Sequence, residues 1–449
     1  MKTAIAFAAA CLIALPASAQ IDQVVTPPPN LVLANYDNVP VGPFGGLEGS
    51  AYVARVDDPS AAWFNPAGLA RETAAQVSGS AGVYQSTSIT PESLPNRGGS
   101  FQQLPNFVGF TFSPRPRLTL GAALLTTNSW NQETDAELIS PVAGGQQRFA
   151  YSADSTYERR NLALSAGYQA NQAWRFGGGL AFSLMDVRLV QTVSDRIGDP
   201  AGLRSLLVNS RASGSAIQLR SQAGVQYDRS QWRLGAALRT PGLTFHRSGA
   251  VTLDGLIDAG AVSAGASLFD PDADLDYKLP WEFQGGAAWV RNRVELEVDL
   301  QTYSSIDAYS MLTSAQPVVV YGDAGASQPP SVISQPFGGL MSASDGVINV
   351  SAGGHVRPLQ NRDLRLHAGI GSNQSPVASQ DQIFNKVDLV VWSLGASGSL
   401  GRLQFAVGFN HQAGKAHDVM LRNLLSGQVV QSSMDVAMTG FIYSLAYQF

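Results

Sequence analysis

Downstream of residue 74 the chain repeatedly alternates apolar with polar or small side chains at a period of two. From Arg291, Val294, Leu296, Val298 and Leu300 share one parity, and Glu295, Glu297 and Asp299 share the other. From Asp363, Leu364, Leu366, Ala368 and Ile370 oppose Arg365, His367 and Gly369; from Ser215, Ile217, Leu219, Ala223 and Val225 oppose Gln218, Arg220, Gln222 and Gln226. A helix would scatter these charges around its axis, whereas a strand puts them all on one face. Carried along the chain, the pattern predicts strands at 76–90, 100–113, 117–130, 148–170, 173–192, 212–228, 231–247, 276–290, 293–306, 346–358, 362–374, 386–400, 402–414 and 434–449. Short turns alternate with longer predicted loops at 131–147, 193–211, 248–275, 307–345 and 415–433. An even strand number with this loop asymmetry is the pattern of a bacterial membrane barrel, all-β and antiparallel, with fourteen strands. At 23 residues the fourth predicted strand is longer than a membrane crossing requires, so it contains a bulge or rises above the lipid.

Composition sharpens this reading. Charged residues make up 14% of the chain, against roughly 25% in soluble proteins. So little charge does not cover a water-exposed surface, yet beyond the N-terminus there is no apolar run long enough for a membrane helix. A closed barrel is the other structure that satisfies every backbone group in lipid. The net charge of −5 offers no basic footprint for nucleic acid. Residues 1–19 read as an export signal, with Lys2, an apolar stretch from Ala4 to Leu15, and a small-residue cleavage site at Ala17-Ser18-Ala19. Cys11, the single cysteine, lies within it, so the mature protein has no thiol; a lipoprotein anchor at Cys11 is disfavoured by Ala8, which stands where such signals carry Leu. The expected location is the outer membrane of a Gram-negative cell, in contact with its lipid and lipopolysaccharide.

Phe441, Tyr443, Leu445, Tyr447 and Phe449 fall on one face of the last strand and end on a terminal Phe. Soluble edge strands avoid such a face; this one resembles the terminal signature read by the barrel-assembly machinery. Trp174, Trp232 and Trp289, each beside a short turn, form a predicted periplasmic aromatic girdle. A monomer is expected.

Residues 20–73 have no strand periodicity but contain Leu47, Tyr52, Val53, Val56, Trp63, Phe64 and Leu69, which require burial. The lumen is the economical place, since a fourteen-strand barrel is otherwise wide enough to leave a pore. The expected organisation is a signal at 1–19, an N-terminal extension and hatch at 20–73, and a barrel at 74–449.

The run from Gly49 to Leu69, with Asp57-Asp58 and the tripeptide Asn65-Pro66-Ala67, resembles the N-terminal hatch of the FadL-type outer-membrane transporters of long-chain fatty acids and aromatic hydrocarbons. Leu279-Pro280-Trp281-Glu282-Phe283, the strand from Val294 to Asp299, Leu364-Arg365-Leu366 with Gly369, and the last strand extend the likeness over most of the mature chain. The Pro-rich lead of residues 20–40 is longer than usual for that family. The resemblance implies a plugged fourteen-strand barrel, passive uptake through a hatch-gated lumen, and lateral release at a kink in the third strand, where Gly121 is the permissive residue. It also implies a capture groove in the outer loops, for which Leu203, Leu206 and Leu207 with helix-like spacing, and Leu256, Ile257 and Phe269, are the candidates; mutual packing of these loops is the plain alternative. Arg220, Arg233, Arg239 and Arg365 face the lumen by parity and could receive a carboxylate, although lumen charges more often pair with each other. No cofactor or metal site and no catalytic group is expected. His246, His355, His367, His411 and His417 stand in no hydrolase or His-Glu-x-x-His setting. A diffusion porin for polar solutes, or a structural or adhesive barrel, are the remaining alternatives.

Overall fold

In the computed structural model residues 32–449 are described, apart from 72–73, 92–97, 143, 200–201, 259–262, 324–330, 360–362, 380, 382 and 423–428. The segment predicted as an export signal, 1–19, and the first residues of the predicted N-terminal extension, to 31, lie outside the described residues. The barrel strands are β1 (Gln76–Pro91), β2 (Gly98–Arg115), β3 (Leu118–Val142), β4 (Gly145–Gln169), β5 (Trp174–Asp199) and β6 (Gly202–Arg229). Four strands then run with interruptions: β7 (Trp232–Arg239, Leu243–Asp258), β8 (Ser263–Leu275, Glu282–Arg291), β9 (Val294–Tyr303, Ile306–Thr313, Pro317–Asp323) and β10 (Ser331–Pro336, Leu340–Ser344, Val347–Val356). The last are β11 (Leu364–Asn373), β12 (Val387–Leu400), β13 (Leu403–Arg422) and β14 (Val429–Gln448). Each pairs antiparallel with its neighbours, and β14 returns to β1 through Gln76↔Gln448 and Val77↔Tyr447, which closes the ring of fourteen. Closure leaves no unpaired edge in lipid.

Parity assigns the faces as the sequence predicts. Leu296, Val298 and Leu300 point outward, and Glu297 and Asp299 are buried inside. Phe441, Tyr443, Leu445, Tyr447 and Phe449 are all exposed on the lipid side. Trp232 and Trp289 lie directly opposite each other across β7 and β8, and Trp174 packs on Tyr227 with ring centroids 4.6 Å apart, so the lower aromatic girdle is present.

The long outer loops, by contrast, are mostly strand. β3 and β4 each contain 25 residues and β5 and β6 contain 26 and 28. At about 3.3 Å per residue a 25-residue strand is roughly 80 Å long, of which the hydrocarbon layer takes only about 9–11 residues. The remainder rises above the membrane as paired ribbon. Hydrogen bonding continues because the alternation does: Tyr151, Ala153, Val193 and Leu206 stay buried on the inner face. The overlong fourth strand is therefore one member of a tall wall.

Candidate functional site: the lumen

Residues 32–71 run inside the barrel. They contain two 3-10 turns, Gly45–Leu47 and Pro66–Arg71, and one short helix, α1 (Ala61–Phe64), with nearly every residue buried. Such short pieces have too few internal hydrogen bonds to persist alone; the barrel wall holds them. Asn65 shows how. Pro66 disfavours a helical conformation at the preceding residue, and Asn65 is extended, with φ −157° and ψ 105°. Its side chain donates to the carbonyls of Val53 and Val225, 3.1 Å each, and accepts from Ala67 N–H at 3.1 Å. One amide thus ties both arms of the hatch to β6. Arg71 completes the seat on β6 through Asp228 and Gln226.

Close approach requires a bare wall, and glycines provide it. A methyl on Gly167 would stand 2.7 Å from Pro66 O, and one on Gly235 2.6 Å from Val53 O. At Gly177 it would overlap the Pro66–Ala67 peptide, and at Gly353 and Gly369 the backbone of Glu48.

On the opposite side the hatch is held by charge. Asp299 accepts from Tyr52 N–H (2.8 Å) and Val53 N–H (3.0 Å), and Glu297 accepts from Ala54 N–H (2.5 Å). Arg55 bridges Glu297 at 2.7 Å to Glu48. Glu48 Oε1 in turn meets Nδ1 of His355 at 3.0 Å and Nδ1 of His367 at 2.7 Å. His367 Nε2 lies 2.7 Å from Ser397 Oγ. The order Ser397–His367–Glu48 has the connectivity of a hydrolytic triad, but Phe44 stacks on His367 with ring centroids 5.5 Å apart, and Glu48 is already committed to Arg55 and His355. No acyl group reaches that serine in this state.

Asp57 and Asp58 both accept from the Tyr52 hydroxyl at 3.2 Å, and Asp58 also accepts from Ser60 N–H at 2.7 Å. Burial pushes the Asp58 carboxyl up to about 6, and the neighbouring charge of Asp57 adds to the effect against the hydrogen bonds from Ser60 and Tyr52. In the unfolded chain an aspartate titrates near 3.9, so the seated hatch keeps a proton that the released hatch gives up. The seated state is therefore most stable below about pH 4 and loses stability as pH rises to about 6. Asp58→Asn is expected to stabilise the seated hatch at pH 7 by on the order of 2–3 kcal/mol and to change little at pH 4. Hydrogen exchange of the amides of residues 52–62 at the two pH values checks this; an equal effect at both counts against it.

Above the hatch the lumen is apolar. Trp130, Tyr157, Met185, Leu253, Leu268, Leu275, Tyr277, Leu279, Met311 and Leu312 from six strands and the break in β8 form one buried cluster. The chain's own Val32 and Leu33 enter it from below, pairing with Asn385, and Val377, Ile383 and Phe384 close it from the β11–β12 connection. Within it the hydroxyls of Tyr157 and Tyr277 pair at 2.7 Å, Gln218 donates to the Tyr277 carbonyl, and the buried Arg159 is close enough to both tyrosines to interact electrostatically. Beside the hatch lies a cavity of about 70 Å³ with a mixed lining, polar from Asp37, Gln301, Asn373 and Gln412 and apolar from Val41 and Phe64 among others. That space is far smaller than the roughly 300–1,000 Å³ of a ligand pocket.

Several sequence-derived sites are redrawn. Arg239 and Arg220 are not free receivers: both pair with Glu282, Arg239 stacks over Trp63 at 3.9 Å, and Arg220 donates to the carbonyls of Thr240 and Pro280. They pin the hatch and the break in β7. Arg233 and Arg365 sit beside short turns near Glu295 (3.9 Å) and Asp363 (3.3 Å), away from the apolar chamber. Leu203, Leu206 and Leu207 lie on strand β6, not a helix, so period two separates them: Leu206 is buried within, and Leu203 and Leu207 face outward, as do Leu256 and Phe269. Ile257 lies opposite Leu206 and Leu256 opposite Leu207, which puts the six residues on both faces of one sheet, and no groove unites them. Gly121 is paired on both sides, to Thr111 and Ser165, and a methyl there would stand 2.7 Å from Leu69, so it seats the hatch. The irregularity of β3 is at Thr127, where the register to β4 slips; among the described residues β2–β3 pairing ends at Phe107↔Leu125. There Asn38 and Val39 donate to Thr127 O, and Asn106 donates to Pro40 O at 2.5 Å. The histidine pair escaped the sequence reading, although His355 and His367 flank one short turn on the lumen parity.

No protein-family model and no curated protein sequence matches this chain. Solved structures do. A FadL homologue of Pseudomonas aeruginosa superposes with a TM-score of 0.61 at 14% identity, covering 93% of this chain and 100% of that one. The toluene transporter TodX of Pseudomonas putida gives 0.57 at 14% identity over 92% and 100%. The toluene transporter TbuX of Ralstonia pickettii gives 0.54 at 14% identity over 92% and 99%.

Proposed function

We propose that this chain, whose fold is that of the FadL-type barrels, is an outer-membrane channel for passive uptake of hydrophobic small molecules. One observation carries the reading: above the hatch, the interior of a membrane barrel, ordinarily polar, is lined by a contiguous apolar cluster into which the chain's own Val32, Leu33 and Phe384 are packed. A channel for polar solutes has no use for such a wall. In the proposed cycle a hydrophobe displaces Val32 and Leu33, and the movement passes along residues 35–41 to the hatch. Residues 35–41 are bonded to β3 and to β12 on the way, through Asn128, Ser129, Thr127 and Val387. Lateral release is assigned to the seam above Phe107 and Leu125, because there Asn38 and Val39 donate to Thr127 O and Pro40 O accepts from Asn106, and the wall can part when residues 38–40 leave. No step requires an energy source.

Long-chain fatty acids are one substrate class. Uncharged hydrocarbons are the second reading, favoured because the buried lumen arginines are committed, Arg220 and Arg239 to Glu282 and Arg159 to Asp37 and the Tyr36 carbonyl. Cells expressing the protein are expected to take up labelled oleate or toluene saturably, at least about tenfold faster than cells expressing a Met185→Asp variant, which places a charge in the chamber. Heat-modifiable migration on gels verifies that the variant is inserted. Rapid uptake of small sugars with no preference for hydrophobes would establish a porin instead.

A further inference from the structure

We propose that Glu48, His355 and His367 form a divalent transition-metal site, zinc or a close neighbour, that staples the hatch to β10 and β11. His355 and His367 are directly opposite each other across these strands, the cross-strand geometry in which two side chains on one face are nearest. Both direct Nδ1 at one oxygen, Glu48 Oε1, at 3.0 and 2.7 Å. The three donor atoms lie within 4.8 Å of one another and all three residues are buried. Zinc takes imidazole nitrogen at about 2.0–2.1 Å and carboxylate oxygen at about 2.0–2.2 Å. Tetrahedral donors are then roughly 3.3–3.5 Å apart, so each imidazole nitrogen has to move about half an ångström from Glu48 Oε1 to admit the ion. Two imidazoles and one carboxylate leave a fourth position for water.

The surroundings have the arrangement of a metal's outer sphere. A ligating histidine donates its other N–H to an oxygen, which fixes the tautomer and frees the inner lone pair. His367 Nε2 faces Ser397 Oγ at 2.7 Å. His355 Nε2 has no hydrogen-bond partner, and Glu295 Oε1 lies 3.7 Å from it, a small shift from contact. Glu48 Oε2 is oriented by Arg55. Charge balance also leaves room for a cation. Arg55 is shared among three carboxylates, the fully buried Glu48 and Glu297 and, at 3.9 Å, the partly exposed Glu295, which also lies 3.9 Å from Arg233 and 3.7 Å from Arg357. Among the fully buried groups two carboxylates share one guanidinium, a costly local imbalance that a cation between neutral imidazoles reduces.

The test uses the full chain in detergent, stripped with a chelator and titrated with Zn²⁺. One equivalent is expected to bind at micromolar or lower concentration, to be lost in a His355→Gln/His367→Gln double variant, and to weaken about 10–100-fold in Ser397→Ala, as outer-sphere changes do. X-ray absorption of the zinc-loaded wild type, which does not depend on any variant folding, is expected to show two imidazoles at about 2.0–2.1 Å. Absence of binding below millimolar Zn²⁺, undiminished binding by a folded double variant, or a spectrum without imidazole each overturns the site. A negative result leaves the uptake reading standing, because transport enters none of these measurements.

Discussion

Deletion of residues 41–69 is expected to convert a closed barrel into a steadily conducting pore. Those residues supply both 3-10 turns' central contacts and α1, and they fill the lower lumen against β3, β4, β5 and β6 on one side and β9 to β13 on the other. None contributes to the ring of backbone pairs that closes the cylinder. The cylinder therefore outlasts its plug. Side chains that held the hatch, such as Asp299 and Arg239, become water-exposed and are satisfied by solvent. Eight strands leave an interior just filled by side chains and sixteen leave an aqueous channel, so an emptied ring of fourteen lies near the open end. In planar bilayers the intact protein is expected to be silent and the deletion variant to give stable ohmic steps; liposome swelling with small sugars should report the same contrast. Large steady conductance from the intact protein would mean that the hatch does not plug, and the porin alternative would take its place.

A single methyl should achieve part of this effect. Gly177→Ala adds a Cβ where the Pro66–Ala67 peptide already stands, and a backbone has no rotamer by which to yield. Overpacking a core costs about 1–3 kcal/mol when side chains can adjust, and here the overlap is with main chain, so the hatch must lift from β5. Gly178→Ala is the matched control: it is the next residue, faces the other side of the strand, and its nearest neighbour is Gln222 O at 3.6 Å. Composition and propensity change identically in both variants. The expected result is a solute leak at least tenfold greater for Gly177→Ala, with protease cleavage within 41–69, while Gly178→Ala behaves as wild type. Equal behaviour of the two would show that the hatch does not rest on β5.

Histidines and arginines define the limit of what could be read from the chain alone. Parity placed Arg220, Arg239 and His367 inside, and all three are inside. It could not say what each meets there, because Glu282 comes from another strand and Glu48 from the hatch, separated from His367 by 319 residues. The outer hairpins were misread for a related reason. Leu203, Leu206 and Leu207 fit a helical spacing in isolation, and only a paired neighbour, with Ile257 opposite Leu206, decides in favour of strand.

Period two, the terminal aromatic face and the apolar N-terminal run determined the barrel, its fourteen strands and the burial of the N-terminal segment, because each follows from which local side chains tolerate lipid and which require burial. The tertiary structure alone decided the height of the wall, the pairing of the lumen charges, the seat of Asn65 on Val225 and the slip at Thr127. Those depend on contacts between segments far apart in sequence, and local alternation sets the face a side chain takes but not the partner it finds there.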